Sequence, residues 1–238
     1  VVENIRAAGG EIYAITSEPQ RLADAAEKDW DFGFESVGDP HHEISSTCVE
    51  RGLLELIVNT KTELTAPKGT KFSHPKGYFQ PGVLALDSNA RVLYRWRSIP
   101  TRNNIGGAVA RPTAHYVFDL VSKALASATS DTAAADAELD TNPELDSRGI
   151  PWPLFMSLLV ANGWFTKPQT FGYQPGGPST NQKLSNAAIR ILFFVGAWAI
   201  AFATLPTLWV GVGLVGWATW LTPKVRFFND QFQNVPNV

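Results

Sequence analysis

Apolar and polar positions divide this chain into two regimes. Through Ala126 they come in short blocks bounded by Gly, Pro, Asp and Ser, whereas from Ile191 to Pro223 there are 33 consecutive residues without Asp, Glu, Lys, Arg or His. In the first regime, residues 1–8 read as the end of a helix stopped by Gly9-Gly10, and Ile12-Tyr13-Ala14-Ile15 as a strand buried on both faces. Ser17-Glu-Pro-Gln20 has the spacing of a capping box and predicts a helix with Leu22, Ala25, Ala26 and Trp30 as its buried stripe. Phe34 to Val37 reads as the next strand. Asp39-Pro40 then predicts a second capped helix from His41 to Arg51, ended by Gly52.

Leu53 to Val58 reads as a strand or a poor sheet edge, and Asn59 to Gln80 as a long loop with a claim to being an interaction surface. Gly82 to Asp87 and Arg91 to Trp96, separated by Ser88-Asn89-Ala90, predict an antiparallel hairpin. Alternation places Val92, Tyr94 and Trp96 on one face and Arg91, Leu93, Arg95 and Arg97 on the other, partly wet one. Thr113 opens a helix with Val117, Leu120, Val121, Ala124 and Leu125 at helical spacing. The order helix, strand, helix, strand, helix, hairpin, helix predicts an α/β fold, a mixed sheet covered by helices.

Residues 127–149 are rich in Asp, Glu, Ala, Ser and Thr and predict a mobile or partner-wrapped acidic linker. Residues 150–165 predict a short apolar helix flanked by Trp152 and Trp164, too short to cross a bilayer and suited to an interface or a docking groove. Residues 166–186 read as a Pro/Gly-rich connector, 187–222 as a membrane segment and 223–238 as a polar tail. Pro206 near the middle of the membrane segment predicts a turn or kink, leaving a helical hairpin and a single kinked span as alternatives. Charge favours the hairpin, because Lys183 and Arg190 before the apolar run and Lys224 and Arg226 after it then share one face. Gly196, Ala199 and Ala203 on one arm, with Gly211, Gly213 and Gly216 on the other, offer small surfaces for helix contact. Phe194, Trp198, Trp209, Trp217 and Trp220 complete the set expected in lipid or against partners.

Composition narrows the chemistry. Twenty basic against 22 acidic residues give a net charge of -2, which argues against a nucleic-acid partner. One Cys and four His exclude an internal disulfide and leave no structural zinc motif. His41-His42 with Asp39 and Glu43 reads as helix cap and surface, because adjacent helical positions point about 100° apart. Asn103, Asn104, Gly106 and Gly107 beside Arg102 and Arg111 read as ordinary loop. Arg91, Arg95, Arg97 and Arg102 form a basic patch for a neighbouring subunit or lipid headgroups. No metal and no cofactor are assigned.

Gly10 to Gln20, Val37-Gly-Asp-Pro-His-His-Glu43, Gln80-Pro-Gly-Val-Leu-Ala-Leu-Asp87 and Val92-Leu-Tyr-Arg-Trp96 together resemble the thioredoxin-like proteins of the AhpC/TSA, or peroxiredoxin-like, group over residues 1–126. The resemblance implies a partial thioredoxin-like sheet with flanking helices. It also places Pro81 at the position of a proline, usually cis, that shapes the active-site rim. Residues 1–8 then match the end of the helix that carries the redox centre, so that centre would lie upstream of Val1, and Cys48 reads as a buried free thiol outside it. The expected function is a membrane-anchored thioredoxin-like structural or assembly subunit in an organellar inner, thylakoid or bacterial membrane, with the bilayer and other membrane subunits as partners. The alternative is a membrane-tethered peroxiredoxin-like thiol oxidoreductase with its nucleophile upstream.

Overall fold

The computed structural model describes residues 1–60, 63–65, 71–101, 104, 110–127, 135–146, 151–162 and 180–232. The chain forms two compact units. One comprises Val1–Thr62, His74–Gly149 and Asn234–Val238; the other comprises Glu63–Ser73 and Ile150–Gln233.

The first unit opens with α1 (Val2–Ala7), which Gly9 ends at φ 80°, a left-handed conformation that costs glycine no Cβ clash. β1 (Tyr13–Thr16), α2 (Gln20–Trp30) and β2 (Glu35–Gly38) make a parallel strand-helix-strand unit with Tyr13 opposite Glu35 and Ile15 opposite Val37. Two expectations fail here. Tyr13 and Ile15 are exposed, because among the described strands β1 pairs with β2 alone and their face is left uncovered. The buried residue of α2 is Ala23, while Leu22 and Trp30 face outward and Ala25 is exposed.

Ser17 does not cap α2 with its side chain either. It is buried and its hydroxyl accepts from the Phe79 amide at 3.4 Å. Gln20 holds the helix start instead, since its side-chain amide donates to the Ser36 carbonyl at 2.8 Å and accepts from the Gly38 amide at 2.7 Å. Gly38 permits that contact: a Cβ there would lie 2.5 Å from the Gln20 backbone nitrogen and 2.6 Å from the Glu18 carbonyl oxygen.

α3 (Glu43–Glu50) starts two residues later than expected, yet Asp39 caps it. The buried Asp39 carboxylate accepts from the amides of Glu43 at 2.7 Å and Ser45 at 3.0 Å, and Gly52 at φ 67° ends the region. β3 (Val58–Asn59) pairs antiparallel with β6 (Tyr78–Phe79). Part of the anticipated long loop is ordered: β4 (Glu63–Thr65) and β5 (Lys71–Ser73), which belong to the second unit, pair antiparallel.

β7 (Gly82–Leu86) and β8 (Val92–Arg97) form the expected hairpin, with a register shift between Ala85 and Leu86. Asp87 closes its turn by accepting from the amides of Asn89 and Arg91. The Arg91 amide first, and its side chain next, hold the Asp87 carboxyl below the ordinary range. Val92, Leu93, Tyr94 and Trp96 are buried and make the core of this unit, each large apolar side chain contributing roughly 1.5–3 kcal/mol. The Gln80–Pro81 peptide is trans, as is every described peptide bond, whereas the resemblance implied the usual cis geometry at Pro81. α4 (Ala114–Ser127) begins after Thr113, whose hydroxyl accepts from the Tyr116 amide at 3.3 Å. The described strands form four two-stranded ladders and not one mixed sheet.

Of residues 135–146, expected to be a mobile linker, 136–140 lie along β8 and 144–146 pair with 111–113. The Ala137 amide donates to the Val92 carbonyl and the Asp140 amide to the Arg95 carbonyl, both at 2.9 Å, and Leu139 bridges Arg95 in parallel. Asp136 accepts from the Val92 amide at 2.8 Å. One Asp140 oxygen accepts from both the Tyr94 and Tyr116 hydroxyls at 3.0 Å. The segment thus occupies the open edge of β8, satisfying backbone groups a bare edge would leave unpaired.

In the second unit, α5 (Trp152–Ala161) packs on α6 (Thr180–Thr204), and Leu159, Met156 and Ala187 are buried. α7 (Thr207–Phe232) follows a break at Leu205-Pro206, where the missing proline N–H interrupts the helical ladder.

Candidate functional site

The α6–α7 pair is the feature with the clearest functional content. Phe194 of α6 meets Trp217 of α7 with ring centroids 4.9 Å apart. A Cβ on Gly213 would lie 3.7 Å from the Trp198 ring. The two contacts sit symmetrically about Leu205 and Pro206, so the arms run antiparallel as a helical hairpin. Trp198 also touches Phe194 and Phe202 along its own helix, giving an aromatic seam. The seam sets aromatic rings against one glycine. Gly196, Gly211 and Gly216 have open space where a Cβ would stand, so they do not form the close helix contact expected of the small residues. Ala199 and Ala203 are exposed as well.

Polarity along the hairpin is one-sided. The antiparallel arms bring Lys183, Arg190, Lys224 and Arg226 to the end away from Pro206, which is itself exposed at the uncharged tip. Arg190 donates to the Ala161 carbonyl at 3.1 Å and so caps the carboxy end of α5. Lys224 stands 4.7 Å over the Trp220 ring. Between these basic residues and the tip the surface is greasy: Leu192, Phe193, Val195, Ile200, Leu208, Trp209, Val212 and Val215 are all more than half exposed. Within the 23-residue Gln182–Thr204 segment the most apolar 18-residue stretch has a mean hydropathy of 1.9, and only 6% of that stretch is buried. α6 is long and apolar enough to cross a membrane, and its exposure distinguishes it from the core helix of a globular domain.

The remaining candidates lie in the first unit. Cys48, on α3, is partly buried; desolvation first, and the Asp39 carboxylate next, push its thiol up and disfavour thiolate. His42 precedes α3 at φ 58°, stacks on His74 with ring centroids 5.7 Å apart, meets the Phe79 ring at a tilt with centroids 4.4 Å apart, and lies 3.3 Å from the Gly77 carbonyl oxygen. Burial lowers its pKa, the contact with Gly77 opposing. Among the described residues no group of three His, Cys, Asp or Glu side chains converges as a metal site.

Pro81 follows the buried Gln80, and its carbonyl accepts from the Ser98 amide at 2.7 Å. The expected basic patch separates. Arg91 binds Asp87 at 3.0 Å and reaches the Ala124 carbonyl. Arg95 donates to the Gly52 and Leu53 carbonyls, and Arg97 to the Glu55 carbonyl and carboxylate. Arg102, Asn103, Gly106 and Gly107 lie outside the described residues, as does Trp164. Sequence reasoning missed the Asp140 bridge between Tyr94 and Tyr116. Burial, followed by the bond to Asp140, pushes both phenols above their ordinary range. Nothing in the spacing of these three residues signals that they meet.

No family model matches this chain, and neither does any curated protein or solved structure compared with it.

Proposed function

We propose that this protein is a membrane-anchored structural or assembly subunit, held in lipid by the α6–α7 hairpin and presenting its α/β unit to other membrane proteins. The observation that carries the reading is the exposure of α6, whose most apolar 18-residue stretch has a mean hydropathy of 1.9 and is only 6% buried. In water such a surface favours aggregation; in lipid it is matched by its solvent. The uncharged arms, Ile191 to Leu205 and Pro206 to Pro223, have helical lengths of about 22 and 27 Å, somewhat short of a hydrocarbon core about 30 Å thick. A hairpin that enters from one side and carries its cations at that side fits these lengths, with Arg190 and Lys224 at the headgroups.

The resemblance to thioredoxin-like proteins adds a docking role for the first unit. Its parallel β1–α2–β2 crossover and β7–β8 hairpin are compatible with that resemblance. In this proposal Cys48 is structural, consistent with a thiol raised by burial.

Reconstitution into liposomes followed by alkaline carbonate extraction and native electrophoresis of detergent-solubilised native membranes tests the reading. The expected result is retention in the pellet and migration within a larger assembly. Release as a monodisperse soluble monomer would refute the anchor, and membrane retention as a solitary chain would refute the subunit role alone.

A further inference from the structure

Loop 52–55, the end of α3 and β8 border an open cleft, a second candidate site independent of the hairpin. Val49, Gly52, Leu53, Leu54, Glu55, Arg95, Arg97 and Leu139 line a cavity of about 310 Å³. That volume is at the lower end of the range of small-molecule sites. Arg95 and Arg97 share a face because β-strand side chains alternate with period two. Loop carbonyls fix both guanidinium groups: Arg95 Nη1 donates to Gly52 at 2.8 Å and Leu53 at 3.2 Å, and Arg97 Nη1 to Glu55 at 3.2 Å.

Their charge is incompletely answered. The Nε of each arginine is buried without an acceptor. The one carboxylate at the cavity, Glu55, touches Arg97 alone at 3.3 Å, and its side chain is 71% exposed. Arg91, the third arginine of β8's neighbourhood, is neutralised by Asp87 and takes no part. Two guanidinium groups with a surplus positive charge suit a planar or tetrahedral oxyanion, held by charge-assisted hydrogen bonds. Val49, Leu53, Leu54 and Leu139 supply an apolar wall beside those forks, which a bare inorganic anion would not use.

We propose that this cavity binds an oxyanion carrying an apolar substituent, a phosphate monoester or carboxylate on an alkyl group. The Arg95–Arg97 pair receives the anion and the leucine wall receives the chain. Such a ligand comes either from a lipid or from a soluble metabolite. The site belongs wholly to the first unit, so its failure leaves the membrane reading untouched.

The full chain in phosphatidylcholine nanodiscs is titrated calorimetrically with hexyl phosphate, inorganic phosphate and hexyltrimethylammonium, subtracting empty discs. Saturable binding of one hexyl phosphate per chain is expected, at least tenfold tighter than inorganic phosphate, with no saturable binding of the ammonium probe. Arg95→Gln with Arg97→Gln is expected to weaken hexyl phosphate at least tenfold while the circular dichroism spectrum is retained. Should that double variant unfold, Leu139→Glu, which sets a carboxylate at the wall and leaves both arginines, is expected to weaken binding at least fivefold. Absence of saturable hexyl phosphate binding, equal affinity for inorganic phosphate, or unchanged affinity in either folded variant overturns the proposal.

Discussion

A lysine placed at successive depths of α6 measures what surrounds it. Ile200 is 66% exposed and Phe193 is 74% exposed, so replacing either removes little packing within the protein. Taking Arg190 as level with the headgroups, the helical rise places Phe193 about 4–5 Å and Ile200 about 15 Å into the hydrocarbon, the latter near the midplane. Lysine at the midplane costs about 2.5–3.5 kcal/mol, whereas near the boundary its stem lets the ammonium return to water. Ile200→Lys should therefore reduce the vesicle partition coefficient about a hundredfold, and Phe193→Lys by less than about tenfold. Ile200→Ala serves as the control for lost apolar area. The assay is flotation with liposomes at concentrations where the parent chain is half bound, because saturating lipid would mask the difference. Equal losses at the two positions, or no loss at Ile200, would refute insertion of α6.

Four further outcomes follow from the first unit. Gly38→Ala should destabilise it by about 2–3 kcal/mol, because the new methyl meets backbone atoms of Glu18 and Gln20 that cannot rotate away, as read by denaturant unfolding. Asp140→Ala leaves the Tyr94 and Tyr116 hydroxyls without their acceptor and should cost about 2–4 kcal/mol, releasing residues 135–146 to limited proteolysis. Because both phenols are raised in the folded chain, the stability they confer is full below the unfolded tyrosine value near 10 and declines as pH rises above it, visible as alkaline loss of protease protection. Cys48 should react with iodoacetamide more slowly at pH 7.5 than a free cysteine peptide, by mass spectrometry; an equal or faster rate would contradict its desolvation.

The features legible in the sequence are those with a strong local cause. Pro206 breaks the apolar run wherever the tertiary contacts fall, Asp39 caps the following helix, and alternation along β8 brings Val92, Tyr94 and Trp96 together in the core, although Leu93 on the opposite face is buried as well. The proline alone leaves a hairpin and a single kinked span open, and the basic residues at both ends of the apolar run favour the hairpin. What the sequence concealed depends on distant partners. Gln20 has the spacing of a capping residue but finds stronger partners in Ser36 and Gly38 across the β1–α2–β2 unit. Leu22 and Trp30 form a plausible core stripe, yet the helix turns Ala23 inward where a two-stranded sheet leaves little space. Residues 135–146 look like a linker because their composition is acidic; they dock through backbone amides and Asp136 and Asp140, which composition cannot distinguish from solvated charge.

The symmetric fold-back about Pro206 also bears on how the proposed anchor would enter lipid. A bent anchor whose charged ends share one side asks no hydrophilic stretch to traverse the bilayer, so insertion requires only that the oily bend displace lipid from a single leaflet inward.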